Sequence, residues 1–231
     1  MKTNILINNY KLSKQEIRKN YYNGNIEFNI PQKKLINSFM KSGLLNYAIA
    51  EDKYKNVYFK CSSMSLLKDM YDTLKTINIY KMIYDISTQM RYLLEKENSV
   101  FIGFDPRHIL VVNENTYLYI NGAYLTKIDE QENIEIKYPP NSEDYILAPE
   151  LCEISELPCK TNYKCSYYSV GILFLYMFKT IETKNIRKID TNDIEEIKQL
   201  LKMLSINHTK IFYFLQRCLQ KNPVNRQIIF V

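Results

Sequence analysis

The histidines and cysteines that would bind a soft metal, and the glycines that would cradle a phosphate, are few in this chain and widely spaced. The 231 residues include two histidines, His108 and His208, and five cysteines, Cys61, Cys152, Cys159, Cys165 and Cys218. No two cysteines form a C-x-x-C pair, so free thiols are expected here and no zinc centre is. Glycines stand at 24, 43, 103, 122 and 171. No two are close enough for G-x-G-x-x-G, the spacing that lets backbone amides approach a phosphate. Asp105 beside Pro106 reads as a carboxylate fixing a turn. Asn121-Gly122 is a strong turn pair, and as a ligand its amide would offer Mg²⁺ an oxygen but no charge. His208 reads as a surface or capping residue ahead of the last helix.

The surrounding composition is that of a folded domain. Hydrophobic residues make up 46% of the chain, and 31 basic against 25 acidic residues give a net charge of +6. No block of five like charges occurs, so the excess reads as a solvated surface and a nucleic-acid partner is not expected. The longest apolar run, 170–178, is about half the roughly 20 residues needed to cross a bilayer. No membrane span is expected. The first residues lack an apolar core of signal-peptide length, which implies an intracellular product.

Positioning these groups requires an α+β arrangement. Segments 4–10, 16–22 and 25–30 have strand character, with Asn23-Gly24 as a hairpin turn between them. Pro31 opens a helix over 32–42, with Leu35, Ile36 and Phe39 on one face and Gly43 just past its end. Strands follow at 47–51 and 56–61. The period then becomes helical: 65–74 is a short helix and 79–94 a longer one, apolar at Ile79, Ile83, Ile86, Met90 and Leu93. Residues 101–112 read as β-turn-β and 127–145 as a long polar loop containing Pro139-Pro140, of the kind usually tied to function or mobility. An apolar helix covers 170–178. Amphipathic helices cover 193–204 and 209–219, each behind a capping residue.

Three runs carry a family resemblance. They are Ala148-Pro149-Glu150, then Ser166-Tyr167-Tyr168-Ser169-Val170-Gly171, then Asn222-Pro223-Val224-Asn225-Arg226. In that order they resemble the A-P-E, D-x-W-S-x-G and D-P-x-x-R motifs of eukaryotic-type protein kinases. The resemblance spans residues 47–231 and is specific in the last 90. It implies a two-lobed kinase-like fold, with a reduced β-rich N-lobe at 1–61 and a mainly helical C-lobe at 62–231. It also implies a buried ion pair between Glu150 and Arg226 and a buried central helix containing Ser166 and Gly171. Ser166 replaces the family's aspartate and Tyr168 its tryptophan. Small divergent kinase-like proteins with Tyr-Tyr-Ser ahead of an apolar helix occur in large DNA viruses, which would place the product in a host cell.

Catalytic positions carried over by the same resemblance are degenerate. Phosphoryl transfer in the family uses a glycine-rich loop, a strand lysine, a base aspartate and metal-binding side chains. The strand at 25–30 has no lysine, and Lys33 and Lys34 read as exposed helix charges. Phe101-Ile102-Gly103 aligns with H-R-D, so Gly103 takes the base position, Ile102 removes the arginine that reads an activating phosphate, and Phe101 keeps a hydrophobic shape. His108 falls at the metal-binding asparagine. Asn121 falls at the D-F-G aspartate, 18 residues after Gly103. The leading expectation is an inactive pseudokinase that docks or regulates a protein partner, with no cofactor. One alternative is an active Ser/Thr kinase using ATP and Mg²⁺, with Asp105 as a displaced base. Another is a basic nucleic-acid-binding module, whose affinity would fall steeply with salt.

Overall fold

Residues 3–7, 10–17, 21–28, 32–45 and 48–228 are described in the computed structural model; of the side chains before residue 32, only that of Ile26 is described. Three antiparallel strands open the chain, β1 (Thr3–Ile7), β2 (Tyr10–Ile17) and β3 (Tyr21–Phe28), followed by helix α1 (Lys33–Met40) and strands β4 (Ile49–Glu51) and β5 (Asn56–Cys61). They form one sheet in the order β1-β2-β3-β5-β4. Asn23-Gly24 is not the expected turn. Both residues lie inside β3, where Asn23 pairs with Gln15 and Lys60, and Gly24 with Lys14 and Phe59. A strand paired on both sides satisfies more backbone groups than a tight turn at Asn23 would, so the ladder overrides the dipeptide. The helix start at Pro31, the residues between β1 and β2, those between β2 and β3, and Tyr47 lie outside the described residues. Helix α1 buries Leu35, Ile36 and Phe39. Gly43 adopts φ +82° just beyond it, a backbone state open to glycine at little cost.

Packing divides the chain into two interleaved compact units, one of residues 1–70, 81–97 and 107–123, the other of 71–80, 98–106 and 124–231. Residues 65–74 do not form the α-helix that their sequence suggested. Strand β6 (Met64–Leu66) leads into a 3-10 turn at Leu67–Met70. Met64 and Leu66 are buried with Ser65 half-exposed between them, and that two-residue alternation prevails because β6 finds a partner. Helix α2 (Thr76–Glu97) outruns the expected 79–94 at both ends. The expected β-turn-β element resolves into β7 (Ser99–Phe101), β8 (Gly103–Phe104), a 3-10 turn at Pro106–His108, and β9 (Ile109–Val112). Strand β10 (Thr116–Tyr119) completes a sheet in the order β10-β9-β6.

Side chains of α2 serve the backbone of β10 where another strand would otherwise pair. The Tyr117 amide donates to Asp85 Oδ2 at 3.0 Å and the Tyr119 amide to Gln89 Oε1 at 3.0 Å, while Gln89 Nε2 donates to the Tyr119 carbonyl at 2.8 Å. The geometry fits because four helical residues rise about 6 Å and two strand residues about 6.6 Å. Gln89 Nε2 also reaches Ser38 Oγ of α1 at 3.1 Å. Asp85 is fully buried and paired with the Lys81 ammonium. Burial pushes its carboxyl above the ordinary range, against the opposing pull of Lys81 and the Tyr117 amide.

In the second unit, β11 (Leu125–Lys127) pairs with β7, and β13 (Ile146–Leu147) with β8. The expected 127–145 loop is interrupted by β12 (Asn133–Ile136), which pairs with β14 (Cys159–Asn162). Ile128, Ile134 and Ile136 are buried there, and the Asn133-Ile134-Glu135-Ile136 alternation is a strand pattern only four residues long inside a polar stretch. Helix α3 (Pro149–Cys152) precedes β14. Helix α4 (Cys165–Thr183) is buried at every residue from Cys165 to Thr180, so the apolar run at 170–178 is the middle of a longer core helix. Helices α5 (Ile194–Met203) and α6 (Lys210–Cys218) are capped by Asp193, accepting from the Glu196 amide at 2.8 Å, and Thr209, accepting from that of Phe212 at 3.3 Å. The fold is thus mixed α+β with small antiparallel sheets. Cys61, Cys165 and Cys218 are buried free thiols and Cys152 is an exposed one. Burial pushes the thiols of Cys165 and Cys218 far up. Among the described residues no helix is long and apolar enough to cross a membrane.

Candidate functional site

Two local clusters contain nearly all the residues singled out in the sequence, one in each unit. In the second unit, Ala148 is extended and Pro149 takes the first helical position of α3, which places Glu150 in the first turn. Across from it, Asn222 caps a 3-10 turn at Pro223–Asn225 by accepting from the Val224 amide at 3.0 Å, and Arg226 follows. Arg226 meets Glu150 through two parallel contacts, Nη1 to Oε1 and Nη2 to Oε2 at 3.0 Å. The remaining donors reach carbonyls: Nε to Gln220 at 2.8 Å, Nη2 to Lys221 at 3.1 Å and Nη1 to Lys164 at 3.4 Å. The guanidinium also lies 4.8 Å from the Tyr168 ring centroid. Tyr168 donates its hydroxyl to the Thr191 carbonyl at 3.0 Å, and burial pushes its phenol up to about 12. Arg226 is 1% exposed, whereas the Glu150 side chain keeps 23%.

Helix α4 anchors the segment that carries Gly103. Ser169 Oγ donates to the Ile102 carbonyl at 2.9 Å and lies 3.2 Å from that of Cys165 in the preceding turn. Ser166, at the position of the family's aspartate, is buried with its hydroxyl oxygen unpaired. The residue missed from sequence is therefore Ser169. Its signal was its match to the serine of D-x-W-S-x-G, one turn after Ser166 on the same helix face. Gly171 allows α4 and α6 to approach closely, since a Cβ there would lie 2.9 Å from Cys218 Cβ and 3.0 Å from Leu219 Cδ2. Phe101 is fully buried, edge-on to Phe104 with centroids 5.7 Å apart, and Ile102 is buried as well.

Gly103, expected at a base position, pairs with Leu147 in the β8–β13 ladder. A Cβ at this position would stand 2.6 Å from Leu147 Cδ2, so the site is closed to any side chain without repacking. Asp105 is buried immediately after β8. In the first unit, His108 (0% exposed) and Asn121 (4%) are hydrogen-bonded to each other, Nδ2 to Nδ1 at 3.0 Å. Asn121 Oδ1 accepts from the Ala123 amide at 2.9 Å. A backbone amide can only donate, so this contact fixes the Asn121 flip and presents its NH₂ to His108. The His108 Nδ1 then accepts, which places the ring proton on Nε2. A Cβ at Gly122 would lie 2.3 Å from Gln32 Oε1, so a side chain there would need the Gln32 amide to move aside.

The lysines differ from expectation in one case. Lys33 is exposed, 5.5 Å from the Tyr54 ring centroid. Lys34 is half-buried and donates to the Glu97 carbonyl at the end of α2 at 3.1 Å, beside Asn37 Nδ2 on Glu97 Oε1 at 3.0 Å. A cation at a helix C-terminus complements the dipole there, which explains why this charge is held inward. His208 is exposed with φ +60°, its ring 6.0 Å from that of Phe212.

The donor set suits structural anchoring better than metal-assisted transfer. A glycine, a histidine and an amide bring no negative charge for a hard divalent cation. Among the described residues no three His, Cys, Asp or Glu side chains are grouped to hold a metal ion. A cleft of about 790 Å³ adjoins the Glu150–Arg226 pair, lined by Tyr168, Ile197, Leu201 and Leu219 together with the exposed Glu153 and Lys221. Its size and apolar wall suit an apolar side chain or small ligand. Scans against models of known protein families and against curated proteins return no match.

Proposed function

We propose that this chain is a kinase-like pseudoenzyme: a two-lobed kinase fold, without phosphoryl transfer, used to dock or regulate a protein partner. The observation that carries the reading is the use made of His108 and Asn121. Where the kinase resemblance puts the metal-binding side chains, these two residues are buried and hydrogen-bonded to one another. Scaffold features support it from the other side: the bidentate Glu150–Arg226 pair, the fully buried α4, and the Ser169 tether to Ile102. The opening order of three strands, one helix and two strands also suits a small N-lobe.

General-base catalysis alone contributes about 10²–10⁴-fold, and preorganised charge is often the larger effect. Lacking a base side chain at Gly103 and anionic ligands at 108 and 121, the chain is expected to transfer no γ-phosphate. The test is twofold. Tm is measured with and without ATP and Mg²⁺, where a ligand at 100 times its Kd adds about 2.7 kcal/mol, and transfer to a generic protein substrate is assayed. No Tm shift and no transfer are expected. Phosphorylation that Asp105→Asn abolishes would overturn the proposal and install Asp105 as a displaced base. Gly103→Asp alone is not expected to restore transfer, because the deficits at 108 and 121 remain and its Cβ also requires Leu147 to repack.

A further inference from the structure

Beyond the end of α4, within the second unit, the chain runs from Lys184 to Asp190 without a turn or bend. Its first five residues, Lys184-Asn185-Ile186-Arg187-Lys188, hold three cations, no carboxylate and an isoleucine that is 67% exposed. The backbone there is fixed. The Tyr176 hydroxyl donates to the Ile186 carbonyl at 3.2 Å, the Lys179 ammonium to that of Arg187 at 3.0 Å, and the Arg187 amide to Asn185 Oδ1 at 2.9 Å. One flank of α5 faces this run: Glu196 Oε1 stands 3.8 Å from Lys179, and Glu196 Oε2 accepts from the Asp190 amide at 3.3 Å. Met203 lies two turns further along that flank, about 10 Å on. It is 80% exposed, beside the exposed Lys202. Ser205 donates to the Glu182 carboxylate through its amide at 3.0 Å and its hydroxyl at 2.5 Å, tying the end of α5 to the end of α4.

Cations outnumber carboxylates on this face. Lys184, Arg187, Lys188 and Lys202 stand against Glu182, which Ser205 holds, and Asp190, whose Oδ1 accepts from the Asn192 amide at 2.9 Å. Arg187 and Lys188 also line a hollow of about 370 Å³, with Asp190 and the Ser142 hydroxyl on its other sides. The forked guanidinium suits a phosphate oxygen pair there. Exposed Ile186 and Met203 among cations form the mixed apolar and basic surface that lies in a membrane interface. A nucleic-acid strand would call for an aromatic on which bases stack, and neither the run nor the last turn of α5 contains one.

We infer that the face formed by residues 184–188 and the end of α5 binds the surface of an anionic lipid bilayer. The four cations meet headgroup phosphates, and Ile186 and Met203 enter the boundary between headgroups and acyl chains. This holds whether or not the chain transfers phosphate. The full chain is sedimented with phosphatidylcholine vesicles with and without phosphatidylserine, at low and high salt. Binding is expected only where phosphatidylserine is present, and it should fall as salt screens the cations. Arg187→Gln/Lys188→Gln should weaken it about tenfold or more, since each cation near such a surface is worth roughly fivefold. Ile186→Ser/Met203→Ser should weaken it about tenfold through lost apolar burial. Lys60→Gln/Lys68→Gln, two exposed lysines of the first unit, should leave it unchanged. The run is anchored through its backbone and Asn185, so these side-chain changes keep the wild-type Tm; where a double variant melts lower, its single members are read in its place. Absence of binding to phosphatidylserine vesicles, or binding that survives both double variants of the face, overturns the inference. Capture of a single-stranded oligonucleotide that Arg187→Gln/Lys188→Gln abolishes, without vesicle binding, also overturns it and assigns the face to nucleic acid.

Discussion

Arg226 engages all five of its N–H donors: two on Glu150 and three on the carbonyls of Gln220, Lys221 and Lys164. A lysine has three donors and no planar fork, so Arg226→Lys is expected to behave as a loss and not as a conservative change. Arg226→Ala should cost about 3–5 kcal/mol, the range for breaking a buried pair, because it also strands three carbonyls. Glu150→Ala should cost less, about 1–3 kcal/mol, since the guanidinium keeps its carbonyl partners and Tyr168. Urea unfolding of both single variants and the double will check this, with the double expected to fall short of the sum. Additive losses below about 0.5 kcal/mol, typical of plain surface sites, would show that the pair is not a coupled buried unit. These two residues were legible in sequence through the resemblance of Ala148-Pro149-Glu150 and Asn222-Pro223-Val224-Asn225-Arg226 to two kinase motifs, which is what implied their pairing. The role of Ser169 was not, because a serine inside a helix commonly bonds only the preceding turn, and its second contact, to Ile102, is a tertiary fact.

Among elements, the α2–β10 ladder ties stability to pH through Asp85. Its folded carboxyl sits above the unfolded value of about 4, so the folded form holds this proton more tightly than the unfolded chain does. That contribution is fully present below pH 4 or so and is lost as pH rises through the raised folded value. Asp85→Asn keeps an oxygen for the Tyr117 amide and removes the titration. Its stability relative to wild type is therefore expected to rise between pH 4 and 8, and urea midpoints across that range measure it. Curves that stay parallel would show that Asp85 titrates as in the unfolded chain. At α4, Gly171→Ala should destabilise. Overpacking against Cys218 and Leu219 costs about 1–3 kcal/mol, more than the gain of about 1 kcal/mol from replacing a helical glycine, and a raised Tm would contradict the close approach. The long helices were readable because their apolar periods repeat over several turns. Residues 65–74, the strand inside the 127–145 loop and the turn at Asn23-Gly24 were misread because β6, β12 and β3 owe their form to partners distant in sequence, Val111, Lys160 and Lys60 among them.

For the whole molecule, the α+β class was legible from the change of period after residue 61, whereas the interleaving of the two units was not. Three separated stretches form each unit, and such a pattern depends on long-range packing that no local window reports. The distribution of thiols over these units makes the protein its own unfolding reporter. Cys61 lies buried in the first unit, Cys165 and Cys218 lie buried in the second, and Cys152 is exposed. A thiol reagent should reach the exposed Cys152 and the half-exposed Cys159 first, and the three buried thiols only when their surroundings open, the more so for Cys165 and Cys218, whose thiolates are disfavoured while folded. Helix α2 runs without a break through residues assigned to both units, which favours a shared opening. Labelling resolved by mass spectrometry in increasing urea is therefore expected to give Cys61, Cys165 and Cys218 the same dependence on denaturant. Two distinct slopes would mean that the units come apart as separate foldons.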